Sequence, residues 1–578
     1  MVNDAPGAKS DAGLTLAVRA TRALAWVFAA AAIACVVWVM IGRFVQQAEC
    51  EWMASAIRDG VDRVKGGQQL YARPSENFIA YIYPPLYFWV SALVAKTMST
   101  LVACRLVSVL ATLVTLVAIA KIARALGATR EWAALSVALY FGAYSYTLYF
   151  YDLERVDALE AALASTAVAL LVGSSDEEKP STGLLRAGGT GALLALAYFA
   201  KQPGLFAFAA VLGGLGVMRE WRKMAVVAAT GLVTAGGIGA YVQSASGGWF
   251  SYYVLKLPSA HGIKGSLVSL FWLFDAPKGF LLTAATFGLV AVAAYGVLRR
   301  KQQRWKDVVF ASVVGSSMFG AFLLRAHVGG FFNVLMCWTP FACAAVGIAA
   351  TRITGAFEER RARATVEIGL FTALALQLAS WTFDPNEITP GSHDVRADQE
   401  LARVVKTFEK HGEVLVSTTG GLTTPPHFHA AALYDILRAG YPMPPDYEAK
   451  LRNRGYAAML LGAPNETECS HHACDDTGLA VLENYFVAGR LPTPLRTSFV
   501  GFDARPGWIM RPRKHPLSGV PLKSLMMRAR VEQAYADMLE AAGGSDVDHA
   551  RWHDEIEDLA AEQLQREAKQ ATSPAPAP

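Results

Sequence analysis

The sequence predicts an α-helical polytopic membrane protein with about eleven transmembrane helices and a small C-terminal extracytoplasmic α/β domain. Of its 578 residues, 53% are hydrophobic and 17% charged, with a mean hydropathy of +0.29, whereas soluble domains carry about 25% charged residues. Apolar runs of about 20 residues, each long enough to cross a bilayer, recur as far as Trp381. From Asp384 onward, short apolar segments alternate with charged ones.

The first apolar run sets the predicted topology. The N-terminal segment 1–22 is polar and basic, and the run from Ala23 to Gly42 follows it. This run is too long for the core of a signal peptide and lacks a convincing cleavage site, so we expect an uncleaved anchor. Arg19 and Arg22 place the N-terminus in the cytoplasm, and basic clusters in most of the later inner loops continue the pattern. A transmembrane domain over residues 23–383 is therefore predicted.

The first outer loop, residues 43–83, carries an acidic pair. Glu49 and Glu51 lie within a turn of the end of the first span. Carboxylates at the membrane surface cost free energy unless they have a partner or a task. An amphipathic stretch follows, and the short aromatic segment from Tyr83 to Val94 is predicted to be an interfacial helix rather than a crossing. A second irregularity, at residues 201–204, is predicted to break the hairpin of spans five and six.

Conspicuous polar residues gather on one side of the predicted topology. They are Glu49, Glu51, Arg105, Glu154, Arg155, Asp157, Lys201, Arg325, His327 and Asn333. Scattered charges would populate both faces, so this clustering predicts an outward-facing site at the membrane surface. The modest net charge of +5 is distributed as a topology signal, so nucleic-acid binding is not expected.

These residue types suit transfer of a group from a lipid phosphate. A carboxylate can deprotonate an acceptor hydroxyl, so either Glu51 or Glu49 is the candidate base, with a slight preference for Glu51. Arginine and lysine can hold phosphate. The predicted phosphate-binding residues are Arg325, His327, Lys201 and Arg155. Asp157, Asn333, Tyr83 and Arg105 are supporting candidates, and Tyr81, Tyr83 and Tyr87 form an aromatic edge beside the sugar or lipid.

Several short motifs carry a family resemblance between about Ala23 and Arg438. In order they are the Glu49/Glu51 pair, GGQQLY at 66–71, YPPLYFW at 83–89, RVD at 155–157, FAKQPGL at 199–205, HVGGFFNVL at 327–335 and PHFHAAALYDILR at 426–438. This arrangement resembles the GT-C superfamily of integral-membrane glycosyltransferases, in particular bacterial relatives of dolichyl-phosphate-mannose–protein mannosyltransferases.

The resemblance implies an inverting transfer of a hexose or pentose from a polyprenyl-phosphate donor to an unidentified extracytoplasmic acceptor. It also implies a GT-C-like fold, a location in a bacterial inner membrane and an acidic base in the first outer loop. The family usually shows Asp-Glu or one Glu there, whereas this chain has Glu-Cys-Glu. No redox cofactor is implied, and without an Asp-x-Asp pair in the outer loops the sequence does not support a divalent metal.

The C-terminal part is predicted to be an α/β domain over residues 384–542, followed by a charged helical tail over 543–578 with a disordered end. EVLVSTTGGL and YAAMLLGAP suit buried strands, and HAAALYDILRAG suits a helix. Cys469 and Cys474 could pair if this domain is extracytoplasmic. His427 and His429 lack a convincing third ligand, so no metal site is predicted there.

Two rival functions remain open from sequence. A transporter or flippase of a lipid-linked or anionic precursor would place charges near the bilayer midplane and often shows repeats, which this chain lacks. A membrane scaffold would use the outer domain only to bind partners. Each site residue also has a structural alternative: Arg155 with Asp157 as an ion pair, Lys201 and Arg325 as snorkelling bases, and Arg105 as an interface anchor.

Overall fold

The computed structural model describes residues 6–174, 179–416, 428–461, 472–491 and 507–541, together with 558, 562 and 566. In chain order, the helices up to residue 380 are α1 (Pro6–Val45), α2 (Ala54–Lys65), α3 (Leu86–Val94), α4 (Thr100–Ala125), α5 (Arg130–Tyr146), α6 (Asp157–Val172), α7 (Pro180–Ala200), α8 (Gly204–Val217), α9 (Trp221–Ala245), α10 (Trp249–Ser251), α11 (Leu257–Ser259), α12 (Gly265–Leu270), α13 (Ala276–Lys278), α14 (Phe280–Leu298), α15 (Trp305–Ala326), α16 (Thr339–Gly355) and α17 (Arg360–Ser380).

Helices lie at each of the eleven predicted spans within the described part of the chain, namely α1, α4 to α9 and α14 to α17. Seven of them, α1, α4, α7, α9, α14, α15 and α17, are long and apolar enough to cross a membrane. The other four have 14 to 17 residues. The polytopic helical architecture is confirmed, while the number of crossings stays a prediction. One large apolar core runs through these helices.

The first outer loop is folded against the helices. The amphipathic stretch forms α2, which buries one face, including Ile57 and Val61, while charged residues line the other. Pro84 and Pro85 lead into α3, which has only nine residues and is too short to cross a bilayer. Tyr87 of α3 is fully buried, and its hydroxyl donates to the Cys104 carbonyl at 2.9 Å.

The predicted break between spans five and six is present. Helix α7 ends at Ala200, Lys201 has an extended backbone (φ −157°, ψ 143°), and α8 begins at Gly204. Pro203 cannot donate a backbone hydrogen bond to the preceding turn, so one helix cannot run through this point. The Lys201 side chain is thereby placed at a helix junction with little exposed surface.

The C-terminal part contains helices and a four-stranded sheet. Its elements are α18 (Ser392–Glu409), β1 (Glu413–Val416), α19 (Ala430–Arg438), α20 (Pro445–Arg452), β2 (Tyr456–Leu461), α21 (His472–Asn484), β3 (Tyr485–Arg490), β4 (Trp508–Pro512) and α22 (Leu522–Ala541). The strand order is β1-β2-β4-β3, with β1 and β2 parallel and the other pairs antiparallel. Both predicted strands and the predicted helix are confirmed within the described residues.

This C-terminal part shares an apolar core with the first outer loop. Ile57 and Phe78 of the loop belong to the same buried cluster as Leu433 of α19 and Met459 of β2. At the rim, Lys450 forms an ion pair with Glu76 at 3.2 Å. The first outer loop therefore lies between the membrane helices and the C-terminal part.

Candidate active site

Glu51, in the first outer loop, is fully buried among other polar residues. Its Oε2 accepts a hydrogen bond from the Met53 backbone N–H at 3.0 Å, which fixes the turn before α2. Its Oε1 lies 3.5 Å from the guanidinium of Arg155. Arg155 also donates to the Tyr83 hydroxyl at 2.7 Å. The structure therefore brings one candidate base, one candidate phosphate-binding residue and one supporting residue together.

The cluster continues through Asp157 at the start of α6. Asp157 Oδ2 lies 3.6 Å from Arg155 Nε, and Asp157 Oδ1 accepts from the Lys201 ammonium. The Asn333 side-chain amide donates to the same Oδ1 at 2.8 Å. We call Glu51, Arg155, Asp157, Lys201, Asn333 and Tyr83 the central cluster. Its two carboxylates and two cations balance in formal charge, which permits burial.

Three polar atoms in and beside the central cluster have no hydrogen-bond partner among the described residues: the Tyr81 hydroxyl, Arg155 Nε and Asp157 Oδ2. Buried polar groups in folded proteins are nearly always hydrogen-bonded, so such exceptions require an explanation. The Tyr81 ring stacks on Tyr83 with a centroid separation of 6.1 Å. Arg155 Nε and Asp157 Oδ2 face each other at 3.6 Å as an ion pair, so the Tyr81 hydroxyl is the group of the three that suits a polar ligand at this place.

Burial sets the protonation of the candidate base. Removal of the Glu51 carboxylate from water raises its pKa to about 7, although the nearby Arg155 charge acts in the opposite direction. The Arg155 guanidinium keeps its charge, because Tyr83, Glu51 and Asp157 outweigh its own desolvation and raise its pKa. A carboxylate that ionises near neutral pH is suited to general-base chemistry.

Glu49 belongs to a different group of charges. Its Oε1 accepts from the Ser55 backbone N–H at 2.9 Å, in the first turn of α2, and lies 3.5 Å from Arg58. Arg58 also lies 3.6 Å from Glu154, and Glu154 lies 3.1 Å from Arg105. We call Glu49, Arg58, Glu154 and Arg105 the anchoring cluster. A carboxylate at a helix N-terminus stabilises that helix, so the contacts of Glu49 are structural.

Arg105 is fully buried, so its interpretation as a membrane-interface anchor was wrong. Its guanidinium donates to the Ala48 carbonyl at 2.7 Å and to the Arg43 carbonyl, both in the segment that precedes the acidic pair. Arg105 therefore ties α4 to the start of the outer loop, through backbone contacts that a side chain at the lipid interface could not make.

Loss of Arg105 is expected to destabilise the protein strongly. In Arg105→Met, Glu154 loses its nearest ion-pair partner and keeps the more distant Arg58 among the described residues, and breaking a buried pair costs about 3–5 kcal/mol. The matched control is Arg363→Met, which removes an exposed pair with Glu367 worth about 0–1 kcal/mol. Thermal unfolding in detergent measures both. Equal unfolding temperatures for the two variants would contradict the structural assignment.

Arg325 and His327 lie beyond the central cluster. Arg325 forms an ion pair with Asp275 at 2.9 Å and donates to the Gly330 carbonyl at 2.9 Å, contacts that the sequence did not predict. The His327 ring lies 5.6 Å from that of His261, and burial lowers the pKa of His327. The described contacts do not join either residue to Arg155, so their role with phosphate stays a prediction.

Several partners of the predicted site were not found from sequence. Arg58 has no signal beyond its place on an amphipathic helix, and Asp275 lies in a π-helical turn, Phe271–Asp275, that the sequence does not announce. Arg43 pairs with Asp152 at 2.8 Å. The Arg325–Asp275 and Arg43–Asp152 contacts join residues 50 and 109 positions apart, and charge alone does not select among such partners.

The metal and disulfide questions concern residues that are only partly described. No group of three His, Cys, Asp or Glu side chains able to hold a metal occurs within the described ranges. His427 and Cys469 lie outside those ranges, as does the Cys474 side chain. The described cysteines 35, 50, 104, 337 and 343 are free thiols.

Comparison with solved structures identifies the fold. The chain is similar to ArnT from Cupriavidus metallidurans bound to undecaprenyl phosphate, with a TM-score of 0.52 and 13% identity over 84% of this chain and 97% of that chain. The apo state of ArnT gives the same TM-score and the same coverage at 14% identity. The apo Archaeoglobus fulgidus oligosaccharyltransferase aligns with a TM-score of 0.44 and 8% identity over 68% of this chain and 62% of that chain. The similarity to ArnT identifies the architecture as the GT-C fold of membrane glycosyltransferases.

The family comparison agrees with this fold. Residues 81–325 match the sequence profile of glycosyltransferase family 87. No curated protein sequence matches the chain. The fold and the family match over residues 81–325 are both similarities to membrane glycosyltransferases. The predicted likeness to protein mannosyltransferases in particular stays a prediction.

Proposed function

We propose that this protein moves a sugar from a polyprenyl-phosphate donor to an extracytoplasmic acceptor at a bacterial inner membrane. The observation that carries the proposal is the central cluster, in which a buried carboxylate and two cations converge beneath one loop. The fold supports a lipid-phosphate donor, because the similar ArnT structure holds undecaprenyl phosphate. The acceptor is a lipid, glycan or protein hydroxyl.

In the proposed mechanism Glu51 is the general base. Its carboxylate removes the proton from the acceptor hydroxyl, and the resulting oxygen attacks the anomeric carbon of the donor sugar. The bond from that carbon to the phosphate oxygen breaks, so the lipid phosphate departs with the electron pair and the configuration inverts. The proton stays on Glu51 until it passes to water. Glu51, rather than Glu49, takes this role because Glu49 is held in the anchoring cluster.

Arg155 and Lys201 are the proposed stabilisers of the leaving phosphate. The Arg155 guanidinium is oriented by Tyr83, Glu51 and Asp157, the last of which lies 3.6 Å from Nε. Cations placed where charge develops lower the barrier because they need no rearrangement during the reaction. Asn333 and Lys201 fix Asp157 Oδ1, which keeps the Asp157 carboxylate beside Arg155.

A donor panel tests this function. The purified protein, reconstituted in lipid, is incubated with several polyprenyl-phosphate hexoses and pentoses and with an envelope extract as acceptor source. We expect release of polyprenyl phosphate with at least one donor, dependent on the extract. Glu51→Gln is the negative control. Folded wild-type protein that releases no lipid phosphate from any donor would contradict the proposal.

The rate of transfer is expected to rise with pH. Only ionised Glu51 can accept a proton, and burial raises its pKa to about 7. The rate at saturating donor should therefore be low below that pKa, increase through it and level off above it. Measurement between about pH 5 and pH 9 checks this. A constant rate across that range, with protein that stays folded, would count against Glu51 as the base.

A further inference from the structure

His429 joins the C-terminal part to the outer loop that carries Glu51. Its side chain is 5% exposed and caps α19, where Nδ1 accepts from the Ala431 backbone N–H at 3.1 Å. On the other side of the ring, Nε2 lies 2.8 Å from the backbone carbonyl of Trp52. Trp52 follows Glu51 directly in the chain, so one imidazole bridges 377 positions of sequence to reach the residue beside the proposed base.

These two contacts define the state of the ring. A backbone N–H can only donate and a carbonyl can only accept, so Nδ1 must be bare and Nε2 must carry the hydrogen. A protonated ring would direct an N–H at the Ala431 N–H. Burial also lowers the pKa of His429 to about 4, so the ring is neutral under ordinary conditions. His429 therefore connects the two segments through fixed hydrogen bonds and does not act as an acid or base.

Aromatic contacts also hold the His429 ring in place. The His429 ring meets Trp52 at a centroid distance of 5.5 Å and Tyr81 at 5.9 Å, both edge to face. Tyr81 in turn stacks on Tyr83, whose hydroxyl accepts from Arg155. His429 thus touches both the turn that carries Glu51 and the aromatic pair beside Arg155.

We propose that His429 is a positioning residue that holds the Glu51 turn, so that the C-terminal part completes the active site. The inference rests on the proposed role of Glu51. Besides the His429 contact, the turn has two short hydrogen bonds of its own, from the Met53 N–H to Glu51 Oε2 at 3.0 Å and from the Ala54 N–H to the Glu51 carbonyl at 3.1 Å. Fixing the Trp52 carbonyl adds an anchor outside the loop.

Two substitutions separate this role from simple helix capping. In His429→Asn, the amide oxygen can replace Nδ1 as the cap acceptor, but the side chain is too short to reach Trp52. In His429→Gln, the amide nitrogen can replace Nε2 as the donor to Trp52, while the cap is lost. If His429 only caps α19, His429→Asn should be the less damaging substitution. If His429 positions the Glu51 turn, His429→Gln should lose less kcat.

Two measurements read the outcome in the full-length protein. We expect His429→Asn to speed backbone hydrogen exchange in residues 46–53 and to lower kcat by about 10–100-fold with KM little changed, because small misplacement of a catalytic group is costly. We expect His429→Gln to keep wild-type exchange in that loop and most of kcat, despite a lower unfolding temperature. The inference would be overturned if His429→Asn showed the same loop exchange and kcat as the wild type. Equal losses in the two variants would also overturn it.

Failure of the proposed function gives a different pattern. If the wild-type protein transferred no sugar, the exchange experiment would still report whether His429 holds the loop. Faster loop exchange in His429→Asn alone would then support the positioning role of His429, while the assignment of Glu51 as the base would be rejected. Unchanged loop exchange in His429→Asn, together with an active wild-type protein, would reject the positioning role of His429 and leave the proposed sugar transfer unaffected.

Discussion

Replacement of Glu51 by glutamine is expected to reduce sugar transfer by about 10²–10⁴-fold, the usual contribution of a general base. The amide keeps the size of the side chain and can still accept from the Met53 N–H, but it cannot take a proton. The rate of lipid-phosphate release at saturating donor measures this loss. Donor KM should change little, because the acceptor hydroxyl and not the donor meets the carboxylate.

Glu49→Gln is the matched control, since it makes the same chemical change two positions away. Glu49 contacts Ser55 and Arg58, and Arg58 keeps Glu154 as a partner when Glu49 is neutralised. We therefore expect a lower unfolding temperature and a loss of activity below about tenfold, in line with a structural charge. The reverse order, with Glu49→Gln inactive and Glu51→Gln active, would transfer the role of base to Glu49.

Replacement of Arg155 by lysine is expected to lower kcat by about 10²–10³-fold, the cost of losing one preorganised contact to a developing oxyanion. Lysine keeps the charge, but a single ammonium cannot contact Tyr83, Glu51 and Asp157 together and so loses the orientation that the guanidinium has. Single-turnover rates with preloaded donor separate this effect on chemistry from one on donor binding.

The corresponding change at Arg325 serves as the comparison. Arg325 is paired with Asp275, and a lysine ammonium can make that single ion-pair contact, although it loses the second bond to the Gly330 carbonyl. We expect Arg325→Lys to retain more activity than Arg155→Lys. A larger loss in Arg325→Lys would instead assign the phosphate to Arg325, which the sequence named as a phosphate-binding candidate together with Arg155.

The helical part of the fold could be predicted because each span is determined by a contiguous run of apolar residues. Apolar runs predict the helices, and Pro203 beside Gly204 predicts the break that places Lys201 outside a helix. Glu51, Arg155, Asp157 and Lys201 could be grouped because topology places them at the same ends of the helices. Their contacts in the central cluster agree with that grouping.

The division between Glu49 and Glu51 could not be predicted. Two residues apart, they share the same local sequence. Their difference comes from their partners, which are Arg58 on α2 for Glu49 and Arg155 in the segment before α6 for Glu51. The same limit applies to His429, whose contact with Trp52 depends on how the C-terminal part packs on the loop. Long-range packing of this kind has no periodic signature in the chain.

The shared apolar core of the outer loop and the C-terminal part has a consequence for protein engineering. Ile57 and Leu433 are buried in the same cluster, so neither partner presents a finished surface of its own. The C-terminal part is thus not a portable module that can be grafted onto a related enzyme to change its acceptor. A chimaera would have to exchange residues 46–95 and the region from 384 onward as one unit, because separating them exposes apolar surface on both.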